Sequence, residues 1–158
     1  MTHSSNVDLL LQSIDEGYSK KAWHGPNLRG SIRGLTAKEA AWRPGKNRHN
    51  IWENVVHCAY WKYVVRKRIL GEKRGSFPII GSNWFNRPEE LSEEAWQQDV
   101  ALLDDMHSIT REAIARLKPS DLEVAAKGSK QTNRFMISGI AMHDVYHAGQ
   151  IQLIKRLM

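Results

Sequence analysis

The C-terminal stretch 132–158, TNRFMISGIAMHDVYHAGQIQLIKRLM, decides how this chain is read. At about 100° per residue, Met136, Ile140, Ile151, Ile154 and Met158 fall along one stripe of a helix. The same rotation places His143 and His147 in the middle of that stripe. Residues four apart lie one above the other on one helix face, so two imidazoles point together into an apolar interior. Desolvating both without partners would be costly. As two ligands of one metal they are accounted for; a pair of buried, hydrogen-bonded histidines is the alternative.

A helix with a buried stripe needs other elements to cover it, and the sequence supplies three more long helical segments. Ser92 opens one of them, with Glu93 and Glu94 in its first turn. Trp96, Val100, Leu103, His107, Thr110, Ile114 and Leu117 then alternate at four and three, the spacing of a bundle seam, until Pro119 stops it. A second runs from the N-cap Asn50 to the C-cap Gly71, and its closing Arg66, Lys67 and Arg68 suit the negative end of the helix dipole. The first places Val7, Leu10, Leu11, Ile14 and Tyr18 on one stripe and is expected to end near Trp23. Residues 24–34 break it, and Thr36 with Glu39 then forms the capping box of a short helix that Pro44 and Gly45 end. No segment alternates with period two. The expected class is therefore all-α, a four-helix bundle. Between Glu72 and Leu91, Gly75, Pro78, Gly81 and Pro88 are set among Phe77, Trp84 and Phe85, which predicts a long lid or crossover strap with an apolar lining.

Composition sets the outer bounds. A chain of 158 residues buries roughly 70% of its unfolded surface and folds without disulfide or structural metal, so one domain over 1–158 is expected. With 41% hydrophobic and 25% charged residues, broadly disordered and collagen-like classes are excluded. No apolar run is long enough for a membrane span, and residues 1–6 lack the basic and apolar regions of a signal peptide, so the cytoplasm is the expected compartment. The single Cys58, set among Val55, Val56 and Ala59, reads as buried and suits a reducing compartment. The net charge of +6 is gathered at 43–48, 62–74 and 127–134. No zinc-finger spacing or RNP-like aromatic motif accompanies it, so solvated helix faces explain the charge and nucleic acid is not the expected partner.

The helix pair offers two nitrogens, and the best third is His57, which shares a face with Trp61, Val64 and Val65. Three imidazoles leave coordination positions open, the pattern of a catalytic centre, and they suit Zn, Ni or Fe. His107 sits on the seam and reads as a histidine hydrogen-bonded to a backbone carbonyl, with a fourth ligand or base as the alternative. Gln150 is placed either to hydrogen-bond the site or to pack. Glu53 reads as a cap residue, though one turn before His57 it could serve as a base. Asp144 falls off the ligand face and reads as solvated, with orientation of a ligand as the alternative. Gly149 is expected to permit close helix approach. Trp61, Trp84 and Phe85 are pocket walls or core, and His3, His24 and His49 read as solvent-facing.

Ala41-Trp-Arg-Pro44, Ile51-Trp-Glu with His57 four residues beyond, Trp96, and the His143-Asp-x-x-His147-x-Gly-Gln150 run occur here in a distinctive order. In these residues the chain resembles the DinB/YfiT-like superfamily of bacterial damage-inducible and thiol-transferase proteins. The resemblance implies a bundle of up-down-down-up connectivity, with the long loop crossing between helices two and three, and a homodimer. It implies a divalent metal on His57, His143 and His147, and a reaction such as S-transfer from a low-molecular-weight thiol or hydrolysis of a small molecule. The metal would lower the pKa of a bound thiol or water. A non-catalytic metal-binding or dimeric interaction bundle, and a nucleic-acid-binding protein, are the alternatives.

Overall fold

The computed structural model describes residues 5–73, 75–125 and 129–158; the readings made of His3, Arg74 and Lys127 lie outside them. The helices are α1 (Asn6–Tyr18), α2 (Leu28–Ser31), α3 (Ala37–Ala41), α4 (Ile51–Ile69), α5 (Glu93–Ala115) and α6 (Asn133–Leu157), with a 3-10 turn at Pro119–Glu123. Among the described residues there is no strand, only an isolated bridge between Ala125 and Thr132. The protein is all-α. Its long helices α1, α4, α5 and α6 are those the apolar periodicity predicts, while α2 and the 3-10 turn are too short to show one.

Side-chain caps define where these helices begin. Ser5 and Asp8 form a capping box on α1, and Thr36 and Glu39 do so on α3. Asn50 accepts from the Glu53 N–H, Ser92 from Ala95 and Thr132 from Phe135. Each satisfies a backbone donor that the first helical turn leaves free. The end of α1 is a correction: the helix stops at Tyr18 rather than near Trp23. The N–H groups of Ser19 and Lys20 both turn back onto the Asp15 carbonyl, and Trp23 is fully exposed.

α4 packs on α5 and α6, and α1 packs on α6 and α5. One core cluster gathers Trp52, Val55, Val56, Trp96, Leu103 and Ile151; a second gathers Val7, Ile14, Ile114, Leu122 and Ile137. The apolar stripe of α6 is buried as expected except at Met158, which is exposed at the helix end. Polar pairs fix the registers. Trp52 Nε1 donates to Asp99 at 2.6 Å and Thr110 Oγ1 to the Lys62 carbonyl at 3.1 Å. Arg111 clamps Asp15 at 2.6 Å, and Tyr18 donates to Asp104.

The segment between α4 and α5 lies as a strap. Phe77 and Phe85 are buried in the first core cluster, and Arg87 Nε donates to Asp99 at 2.7 Å. From below, the buried Asn50 donates to the Arg87 carbonyl at 2.8 Å.

Close helix approach occurs at Gly17, not at Gly149. A Cβ on Gly17 would lie 2.9 Å from the Ala141 carbonyl oxygen, whereas one on Gly149 would meet nothing within 4 Å. Gly149→Ala is therefore expected to stabilise the protein by about 0.5–1 kcal/mol through helix propensity. Gly17→Ala is expected to destabilise it by roughly 1–3 kcal/mol, because α1 and α6 must part. Urea denaturation of the two variants checks both signs.

Candidate metal centre

The centre lies between the N-terminal half of α4 and the middle of α6. His57 Nε2 and His147 Nε2 each stand 3.1 Å from His143 Nε2, so the two predicted ligands of α6 and the one of α4 converge. The three are a cluster with metal-ligand spacing.

Their neighbours decide which nitrogen carries the proton. His57 Nδ1 donates to the Asn83 carbonyl at 2.7 Å, and a carbonyl can only accept. His147 Nδ1 lies 2.7 Å from Asn54 Oδ1. The orientation of that amide is fixed because Asn54 Nδ2 donates to the Asn50 carbonyl at 2.8 Å, turning Oδ1 toward the histidine. Both rings therefore aim an unprotonated Nε2, with its lone pair, at His143. The His143 ring can donate to at most one of them, and its Nδ1 is buried without a partner among the described residues. A shared cation would resolve this arrangement. Two nitrogens 3.1 Å apart can both reach an ion at the ~2.0–2.1 Å of a Zn–N bond. Carbonyl acceptors on Nδ1 are also the usual outer contacts of ligating histidines.

Burial keeps the imidazoles neutral. It pushes His143 down to about 3, reinforced by the positive potential of His147 and His57. It pushes His147 down to about 4, with the Gln150 side chain pulling the other way. His57 is also lowered by burial, opposed by its bond to Asn83. Neutral imidazole is the form a metal binds.

Trp84 forms the outer wall. Its ring stacks on His57 at 3.9 Å and on His49 at 3.6 Å. His49 is exposed by area, as expected, yet it is ordered by Trp84 and by a 2.9 Å contact from Nδ1 to Glu53. Trp61 stands edge-on to His57 and donates through Nε1 to Asn83 Oδ1 at 3.0 Å.

Several predicted neighbours play other parts. The Glu53 carboxylate is bound by both Arg43 guanidinium nitrogens, by His49 and by the Arg87 N–H. Burial alone would raise it, but these donors hold it below the usual carboxylate range. It neither returns to cap α4 nor joins the histidine cluster. His107 is buried and stacked on Tyr18 at 3.6 Å, and the structure gives it no carbonyl partner among the described residues. Burial pushes it down to about 3. Gln150 donates to Tyr146 Oη at 3.2 Å and its side chain also acts on His147, so it does border the site as one of its two expected roles has it. Asp144 is a correction: rather than being solvated it is completely buried, in an ion pair with the equally buried Lys62. Its place on α6 faces Lys62 of α4 in the core, where water does not reach.

Lys62 is a second correction, for it belongs to the basic cluster read as a solvated helix face yet is 1% exposed because it turns inward to Asp144. Asn54 and Asn83 carry no expectation from sequence. Asn54 lies one turn before His57 on the same helix, and that spacing is the only local signal for either of them.

Two measurements follow from this geometry. Asn54→Leu removes the acceptor of His147 and is expected to weaken metal affinity about 10–100-fold, as loss of such outer partners does; a competition titration with a chelator reads it. For the metal-free protein, His107, His143 and His147 stay neutral when folded but titrate near 6.5 when unfolded. The unfolded chain then binds more protons below that pH. Stability is expected to be level above pH 6.5 and to fall toward pH 4, by up to about 1.4 kcal/mol per pH unit for each histidine. Urea midpoints between pH 7.5 and 4.5 check the sign, and His107→Gln is expected to flatten the slope.

A family model described as the DinB superfamily matches residues 22–151, a span that holds all three histidines. No curated protein and no solved structure matches the chain.

Proposed function

Since this chain belongs to the DinB superfamily, we propose that it is a metal-dependent enzyme whose His57, His143 and His147 hold one divalent ion, Zn, Ni or Fe. The reaction proposed is transfer of a small thiol or hydrolysis of a small molecule, with a low-molecular-weight thiol the foremost partner. The observation that carries this reading is the convergence of the three Nε2 atoms, two of them with their tautomers fixed by carbonyl acceptors.

An ion held there supplies Lewis acidity and makes thiolate or hydroxide available near neutral pH. The chain's own residues set the conditions for that chemistry. Asn54 and Asn83 hold the rings, Trp84 covers the His57 face, and burial keeps protons off the imidazoles. Structural sites are closed, whereas catalytic ones keep a position open. His143 is half-buried while His57 and His147 are 5% and 3% exposed, which favours the open kind.

The proposal includes a single domain of up-down-down-up connectivity. Residue 52 pairs with 99 and 62 with 110, rising together along α4 and α5, while 15 pairs with 111 and 18 with 104 in opposite senses along α1 and α5. Asn54 and His57 meet His147 and His143 in reverse order along α4 and α6. It also includes a homodimer through α6, supported by the exposed Met142, Tyr146, Leu153 and Leu157, which recur on one face. No helix among the described residues is long and apolar enough to cross a membrane. A cytoplasmic setting is proposed, in keeping with the buried free Cys58, whose thiol burial pushes well up.

Elemental analysis of protein purified without tag or chelator tests the centre. About one divalent ion per chain is expected, lost in His57→Ala and in His143→Ala. A protein that takes up none of Zn, Ni, Mn or Fe would overturn the reading.

A further inference from the structure

Of the three histidines His143 is the half-buried one, while His57 and His147 are buried, so the readiest approach to the centre is from its side. There, between α4 and α6, lies a cleft of about 170 Å³ whose lining includes His143. Trp61, Val65 and Ile140 make it apolar, and the exposed Arg68 and Gln131 stand in its wall. Trp61 is held by the side chain of Asn83, whose carbonyl holds His57. One residue thus sets both a ligand and a wall of the cleft.

A larger depression of about 560 Å³, lined by Arg43, Lys46, His49 and Trp84, is less suited to the chemistry. It contains none of the three histidines, Trp84 separates it from His57, and Glu53 occupies both Arg43 and His49.

Resting on the metal reading above, we propose that the cleft on His143 seats a ring-sized apolar group of the substrate, with an anionic substituent met by Arg68. The size argument is direct: a dry apolar cavity of about 150 Å³ in another protein accepts benzene, and this cleft is of that order. The charge argument is that Arg68 has no carboxylate partner among the described residues. A guanidinium recognises carboxylate and phosphate through paired N–H donors. Gly139 lines the same cleft, and a Cβ there would meet nothing within 4 Å. A larger side chain at 139 therefore fills the cleft without disturbing the helix packing.

Calorimetric titration of the protein as purified, with its metal content measured, tests this with named probes. 4-(Mercaptomethyl)benzoate presents a thiol, a ring and a carboxylate, whereas ethanethiol presents only a thiol. The aromatic thiol is expected to bind at least about tenfold more tightly, the scale of burying one small ring. Gly139→Leu is expected to abolish that advantage with metal content unchanged. Arg68→Gln is expected to weaken the carboxylated probe and to leave benzyl mercaptan unaffected. Equal binding of the two thiols to the wild type, or an advantage that survives Gly139→Leu, overturns the proposal. A preparation that neither carries nor takes up metal refutes the metal reading instead, and 4-methylbenzoate then probes the cleft alone: binding lost in Gly139→Leu upholds it, and no binding overturns it.

Discussion

The residues Ile51–Ala59 are buried without interruption, so the N-terminal half of α4 has no face for water. A helix in that position must satisfy every polar side chain it carries, because each unpaired one costs roughly 1–3 kcal/mol. Glu53, Asn54 and His57 lie on this segment and point to different neighbours. Glu53 goes to the Arg43 guanidinium after α3, Asn54 to His147 on α6, and His57 to Asn83 in the strap. The packing of the elements around α4 is thus bound to the pairing of three polar groups.

This explains how helix capping and the metal centre come to share residues. Asn50 caps α4 with its side-chain oxygen, while its carbonyl accepts from Asn54 and so orients the amide that fixes His147. The nitrogen of the same Asn50 side chain holds the Arg87 carbonyl, at the end of the strap whose Asn83 fixes His57. Geometry at the imidazoles is inherited from the start of a helix and from a loop pinned to it. The site is built on the most buried backbone of the protein, the kind of support that keeps ligands within the tolerances metal binding needs.

What was legible in sequence was what is local. Caps at Ser92 and Asn50, the seam of α5 and the four-residue spacing of His143 and His147 all lie within a few turns of one helix, and each appears where expected. His57 was legible because it shares the stripe of Trp61 and Val65. The partners of these residues were not. Asp144 looks solvated from helix rotation alone, and only the packing of α4 against α6 brings Lys62, 82 positions away, beside it. Asn83 acts on His57 through its backbone carbonyl, which any residue type would offer. His107 finds an aromatic ring rather than a carbonyl because α1, which ends at Tyr18 and not near Trp23, brings that ring over it.

The Lys62–Asp144 pair bears on how this protein can drift in sequence. Both groups are essentially inaccessible, at 1% and 0% exposure, and the Asp144 carboxylate lies within 4.8 Å of a His143 ring nitrogen. Replacing either alone strands a charge in the interior, a loss of about 3–5 kcal/mol in comparable pairs, whereas an apolar pair of similar volume can be tolerated or even favourable. The two positions are therefore coupled as a barrier in sequence space: each neutral-looking single step passes through a poorly folding intermediate. Relatives that lack one member of the pair are expected to lack the other, and to have repacked the floor of the site in the same event.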